Sequence, residues 1–315
     1  MKTKLVAIVL MVLISSIVYG QDFTTQTVQL WDTQHIPFNK KNIILTETVD
    51  STGRRISQIS VPELYIYRKS NTTVNGATLL YIPGGGYAVV SLKNRGESLA
   101  KHFLKKGFDV VAVLKYRLPD ERIVNQQYKV PLCDAQKALS LLHENSDKWF
   151  INKNKIAVMG GSAGGHLAAS LANLTDEIIA PGVKPEEVKQ AISILLYPVI
   201  SFNLPYRHKG SYKRLLGEKS EDKSLLNYYS MEQQVSKTTP PTYIIYAVDD
   251  ASVPYQNSEI YLDKLDDYNI AHGSLKLEKG GHGFGLNFAK TGVDWTTNLM
   301  EWLNGNTDLF NERKL

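Results

Sequence analysis

Short apolar runs of strand length alternate along this chain with longer segments whose apolar residues recur at helical spacing. ISQISVPELYIYRK and NGATLLYIPGGGY are rich in β-branched and aromatic residues, while FDVVAVLKY, NKIAVMGG, KQAISILLYPV and PTYIIYAVDD are almost continuously apolar. Runs of that second kind predict strands buried on both faces, as in a parallel sheet. Between them, PLCDAQKALSLLHE sets Leu132, Ala135, Ala138, Leu139 and Leu142 on one helical stripe behind Pro131, and ESLAKHFLKKG ends on lysines and Gly107, a sound helix stop. SVPYQNSEIYLDKLDDY and TGVDWTTNLMEWLNG read as two later helices. Such alternation predicts an open α/β sheet with helices on both faces. Residues 200–239 break the rhythm. They are polar, Lys-rich and Tyr-rich, and predict a helical insertion over one end of the sheet.

The N-terminal pattern is different. Lys2 and Lys4 precede LVAIVLMVLISSIV, and Val18 and Gly20 stand at the small-residue positions of a cleavage site. The apolar run is shorter than the ~20 residues of a comfortable membrane span. The expectation is therefore a signal peptide over residues 1–20, a mature start at Gln21, and a periplasmic or secreted protein. Residues 21–315 then form one domain, with no repeat or Pro/Gly linker to divide them.

Composition adds little but excludes something. The chain has 315 residues, 43% hydrophobic and 21% charged, enough to bury a core. A net charge of +5, dispersed along the chain, argues against nucleic acid as a partner. Cys133 is the one cysteine, so an exported chain of this kind has no internal disulfide.

The candidate chemistry lies at strand ends. In MGGSAGGHLA, Gly160-Gly161-Ser162-Ala163-Gly164 follows a strand and opens a helix. That is the G-x-S-x-G nucleophile elbow, where small neighbours let a tight turn lift the serine hydroxyl clear of the sheet. A phosphate-cradling loop has similar glycines, but no Gly-Lys-Ser/Thr follows here. YIPGGGY puts three glycines at an earlier strand end, where an oxyanion loop belongs. The N–H groups of Gly85 or Gly86, with that of Ala163, are the expected oxyanion donors. The base is expected late in the chain. His282 in EKGGHGFGL suits it, whereas His35 and His208 lie in loops without a partner motif. His102, His143 and His166 lie on helices, and His272 opens a strand; His166, one helical turn beyond Ser162, is expected packed beneath the elbow. Asp249 and Asp250 adjoin at the end of PTYIIYAVDD, at the carboxyl edge where α/β sheets place their sites, and either is a candidate acid. No Cys/His cluster or HExxH pattern calls for a metal, and no cofactor is expected.

From about Leu30 to Leu303 the chain resembles α/β-hydrolases of the carbohydrate-esterase type, close to bifunctional feruloyl/acetyl esterases and acetylxylan esterases. The stretches that carry the likeness are PGGGY, LKYRLP, PLCDAQKA, VMGGSAGGHLAA, TPPTYIIYAVDDASVPYQNS and EKGGHGFG. Where the wider lipase family has His-Gly-Gly-Gly, Pro83 replaces the histidine, as in this subgroup. The resemblance implies an eight-stranded, mostly parallel sheet. It ranks Asp250 above Asp249, because the family's acid stands three residues before the valine of Asp-x-x-Val-Pro. It implies a Ser162–Asp250–His282 triad that removes acetyl or feruloyl groups from polysaccharides such as xylan. The partner is then an acylated carbohydrate, with no stable membrane insertion after signal cleavage. Tyr87, Tyr116, Tyr206 and Tyr212 are candidates to face sugar rings, Tyr87 and Tyr116 foremost. The alternative is a serine hydrolase of other small esters, or a peptidase, on the same fold. A binding protein on a dead hydrolase would have lost one of the three reactive residues, and all are present.

Overall fold

The computed structural model describes residues 23–40, 43–72, 76–92 and 95–310. The expected signal peptide lies outside them. Eight strands form one sheet: β1 (Phe23–Gln29), β2 (Glu63–Lys69), β3 (Gly76–Ile82), β4 (Val110–Lys115), β5 (Ile151–Gly161), β6 (Ile192–Leu196), β7 (Thr242–Ala247) and β8 (His272–Leu277). Their order is β1-β2-β4-β3-β5-β6-β7-β8. The pairs β1/β2 and β2/β4 are antiparallel and the others parallel. The central strands β4, β6 and β7 are buried at every position, as their unbroken apolar runs require of a sheet covered on both faces.

The helices that bear on the site are α1 (Arg95–Lys106), α2 (Val130–Glu144), α3 (Ala163–Asn173), α4 (Lys209–Leu216), α5 (Lys223–Tyr228), α6 (Gln256–Asp267) and α7 (Trp295–Asn306). The connection β3–α1–β4 runs outward, towards β2, while β4–α2–β5 runs back across β3. Right-handed crossovers in opposite directions put their helices on opposite faces. α7 joins α1 on its face, through Lys106 Nζ to Asp294 at 3.1 Å and the Phe103 and Trp295 rings, 6.2 Å apart. α3 packs against α2 on the other.

The reversal opens the site. β3 and β5 are neighbours, yet the chain leaves them towards opposite faces, the arrangement outside whose carboxyl ends α/β sheets place their binding crevices. Register makes those ends level. Ile82 pairs with Gly160, so the glycine loop after β3 emerges beside the turn after β5. Ala247 pairs with Leu277, so the loop after β7 emerges beside the one after β8. Residues 200–239 carry α4 and α5 at this same end of the sheet, where Arg214 and His208 approach Gly86.

Candidate active site

β5 ends in a forced turn. Ser162 adopts φ 56° and ψ −123°, a region that costs a non-glycine residue about 1–3 kcal/mol and persists only where surroundings fix it. They do so here. Its N–H donates to the Leu196 carbonyl at 3.0 Å, and its carbonyl accepts from Val199 and His166, each at 3.1 Å. The following helix lies so close to β3 that a Cβ on Gly164 would sit 2.2 Å from the Ile82 carbonyl oxygen. Only glycine permits that approach. Ser162 is 8% exposed.

His282 comes from the loop after β8. Its Nε2 lies 2.8 Å from Ser162 Oγ and its Nδ1 2.7 Å from Asp250 Oδ2. A carboxylate only accepts, so Nδ1 carries the ring proton and Nε2 is left to accept from the serine hydroxyl. Asp250 is buried. Its other oxygen accepts from the Ser252 and Val253 N–H groups at 2.8 and 2.9 Å, which fixes the carboxylate. Asp249 turns away and binds the Gly280 and Gly281 N–H groups at 3.3 and 2.7 Å. The Gly281 bond, foremost, holds its carboxyl below the usual carboxylate range. Thus one aspartate meets the histidine ring, and its neighbour pins the histidine's loop.

The glycine loop borders the serine directly. A Cβ on Gly84 would lie 2.5 Å from the Gly161 carbonyl and 3.0 Å from Ser162 Cβ. Ala163 opens α3, so its N–H is one of the helix's first donors, without an intrahelical acceptor. Gly84 and Ala163 therefore border the serine, and Gly85 and Gly86, the expected oxyanion donors, follow Gly84 in the same loop.

Tyr87 and Tyr116 are placed otherwise than expected. They are 2% and 0% exposed and show no ring face to solvent. Tyr116 donates its hydroxyl to the Pro83 carbonyl at 3.1 Å, beneath the glycine loop. Tyr87 donates to His166 Nδ1 at 2.8 Å, while His166 Nε2 donates to the Tyr229 carbonyl at 2.8 Å. His166 stacks on Phe202, ring centres 4.3 Å apart, and burial lowers its pKa to about 4. It thus lies beneath the elbow, as expected, and ties it to the glycine loop and the insertion. Both tyrosines support the site from below, and their sugar-facing role is corrected accordingly. Tyr212 is buried too, and of the four only Tyr206 keeps part of its surface in solvent.

Sequence reasoning passed over two residues. Tyr197, at φ 35°, packs edge-on against His282, 5.1 Å between ring centres, and against Phe284 at 4.6 Å. His208 caps α4 and lies near enough to His282 and Asp250 to feel their charges. Neither carries a motif. Their closeness to the serine arises from strand register and the fold of the insertion. Among the described residues, no group of three or more His, Cys, Asp or Glu side chains is arranged to hold a metal ion, and no helix is long and apolar enough to cross a membrane.

The BD-FAE family model matches residues 64–265. Endo-1,4-beta-xylanase B of Butyrivibrio fibrisolvens is 32% identical over 225 residues, 71% of this chain and 34% of that protein. The acetylxylan esterase of Xylanibacter ruminicola is 32% identical over 215 residues, 67% of this chain and 42% of that protein. The chain thus spans less than half the length of these two curated relatives. Among solved structures, an acetyl ester-xyloside bifunctional hydrolase from Caldicellulosiruptor lactoaceticus superposes with a TM-score of 0.73 at 28% identity, covering 89% of this chain and 96% of that one.

Proposed function

The chain belongs to the BD-FAE family of α/β-hydrolases, and from that premise we propose that it is a serine esterase that removes acyl groups, acetyl foremost, from xylan-type carbohydrates. The observation that carries the reading is the unbroken line from Ser162 Oγ through His282 to Asp250, with contacts of 2.8 and 2.7 Å, on a strained elbow beside a glycine loop. The names of two relatives and of the solved structure support the substrate class.

The chemistry follows from the parts. His282 Nε2 takes the serine proton as Oγ attacks the ester carbonyl. Asp250 holds the imidazole in the required tautomer and stabilises its cation. The negative charge of the tetrahedral intermediate rests on the N–H groups of Gly85 or Gly86 and Ala163, preorganised by the glycine loop and the start of α3. The carbon–oxygen bond to the sugar then breaks, and His282 returns the proton to the departing hydroxyl. A water, activated by the same histidine, hydrolyses the acyl-serine and releases the acid. Export through the N-terminal segment is part of this proposal, since polymeric xylan lies outside the cell. Protein recovered from the periplasm or medium should begin at Gln21, and intact Met1 there would count against it.

Ser162→Ala tests the assignment. The variant should fold and lose hydrolysis of 4-nitrophenyl acetate, and near wild-type turnover would sink the serine mechanism. Acetate and ferulate release from acylated xylo-oligosaccharides, followed side by side, settles the acyl group. Faster release of ferulate than of acetate would make feruloyl, not acetyl, the principal acyl group.

A further inference from the structure

The rim above Gly86 is built from hydrogen-bond donors. At the start of α4 the Ser211 N–H donates to His208 Nδ1 at 3.2 Å, and the Ser211 hydroxyl lies 2.8 Å from the same nitrogen. A backbone N–H can only donate, so Nδ1 carries a lone pair and the ring proton sits on Nε2. Burial, and next to it the neighbouring His282, lowers the pKa of His208, which favours this neutral donor. Arg214, near the end of α4, donates from Nη1 to the Gly210 carbonyl at 3.3 Å. Among the described residues it takes part in no ion pair. A Cβ on Gly86 would lie 3.9 Å from Arg214 Nη1 and 3.9 Å from His208 Cε1. Both side chains therefore stand over the glycine loop, two residues from Gly84 and its contact with Ser162.

Arg214 also walls a neighbouring cavity of about 310 Å³, together with Gln58, Tyr87, Ala88 and Leu118, so the rim over Gly86 adjoins that cavity through this arginine. This volume is near the lower end of the ~300–1,000 Å³ typical of small-ligand sites. The one acidic side chain in its wall, Asp120, is bound by Arg122 Nε at both oxygens, 2.9 and 3.1 Å. Its charge is answered, and it does not neutralise Arg214. A ligand reaching from this cavity to the rim over Gly86 thus meets a guanidinium that, among the described residues, has no ion-pair partner, with the neutral His208 ring and its Nε2 donor beside it. A hydroxyl satisfies one such donor. A carboxylate, which only accepts, satisfies a planar guanidinium at two points and matches its charge.

We propose that His208 and Arg214 form a carboxylate subsite beside Ser162, and that it directs the enzyme to acylated sugars that bear, or adjoin, a uronate. The proposal rests on the esterase reading for its substrate, but its binding test does not depend on turnover. Deacylated oligosaccharides of one backbone, with and without a uronate branch, are titrated calorimetrically into the wild type and Arg214→Gln. The wild type should bind the uronate form at least tenfold more tightly. That margin should shrink in 0.5 M salt, as screening requires, and vanish in Arg214→Gln. Arg214→Lys should recover part of it. With the acylated forms as substrates, the uronate should lower KM rather than raise kcat. Equal wild-type affinity for the two oligosaccharides, or a margin that survives in Arg214→Gln, overturns the subsite even if ester hydrolysis is intact. A uronate margin without any ester hydrolysis supports the subsite and sinks the esterase reading instead.

Discussion

Asp249 and Asp250 are adjacent in sequence and opposite in task, because a turn sends neighbouring side chains different ways. Asp250 is buried against His282, and Asp249 lies on the Gly280 and Gly281 amides. Asp250→Asn removes the charge that orients the imidazole. If the site works like the serine-protease template, turnover should fall on the order of 10⁴-fold. Asp249→Asn should cost little turnover but lower the melting temperature, since the histidine loop loses a charged anchor. Steady-state kinetics and melting of the two variants separate these roles, and a large loss at 249 with a small one at 250 would exchange them. His166 gives a pH signature. Folded, it is held near 4, and unfolded it returns to about 6.5. Between those values the unfolded chain takes up a proton that the folded one refuses, so stability falls as pH falls. The contribution is absent above pH 7 and amounts to about 2 kcal/mol at pH 5. Urea unfolding at pH 7.5 and 5 should show this slope in the wild type, and His166→Gln should flatten it by that amount.

At the scale of elements, legibility followed burial. β4, β6 and β7 are buried along their whole length, and their sequences announce it in unbroken apolar runs. β1 is different. FTTQTVQ pairs only with β2 at the sheet edge and buries no residue fully, so it has no apolar run to betray it, and only the family likeness implied an eighth strand. The site divides in the same way. Ser162, the glycine loop, Asp250 and His282 each carry a local signal, because strained turns and close backbone approaches demand particular residues. The likeness, not the turn itself, favoured Asp250. His208, Arg214 and Tyr197 carry no such signal. They reach the site through the fold of the insertion and the pairing of Gly161 with Leu196, which are long-range facts. Tyr87 and Tyr116 show the converse error. A tyrosine beside a glycine loop suggests a sugar platform, yet both spend their hydroxyls on internal acceptors, as buried phenols generally must.

Across the whole molecule, one buried ion pair joins parts that strand pairing leaves separate. Arg117, just past β4, and Asp134, in α2, are both fully buried and meet at 2.6 Å. Asp134 also accepts from the Arg117 N–H at 2.9 Å and from Trp31 Nε1 at 2.9 Å. Arg117 Nη1 reaches the Pro37 carbonyl at 2.6 Å and Asn39 Oδ1 at 2.8 Å. The segment after β1 is therefore clamped to the sheet and to α2 by charge-assisted bonds. These bonds largely offset the desolvation cost of the two charges. Removal of one partner strands the other. Arg117→Met leaves the Asp134 carboxylate buried without its cation, and should cost about 3–5 kcal/mol. The paired change Arg117→Met with Asp134→Leu removes both charges, leaving the Trp31, Pro37 and Asn39 groups and the N–H of residue 117 without these partners but no buried ion. It should therefore recover a good part of that loss, because an apolar pair of similar volume often matches a buried ion pair. Urea unfolding of the two singles and the double completes the cycle. Additive losses, with the double worse than either single, would mean that the ion pair itself is not the clamp and that the separate bonds of Asp134 to Trp31 and of Arg117 to Pro37 and Asn39 hold this segment in place.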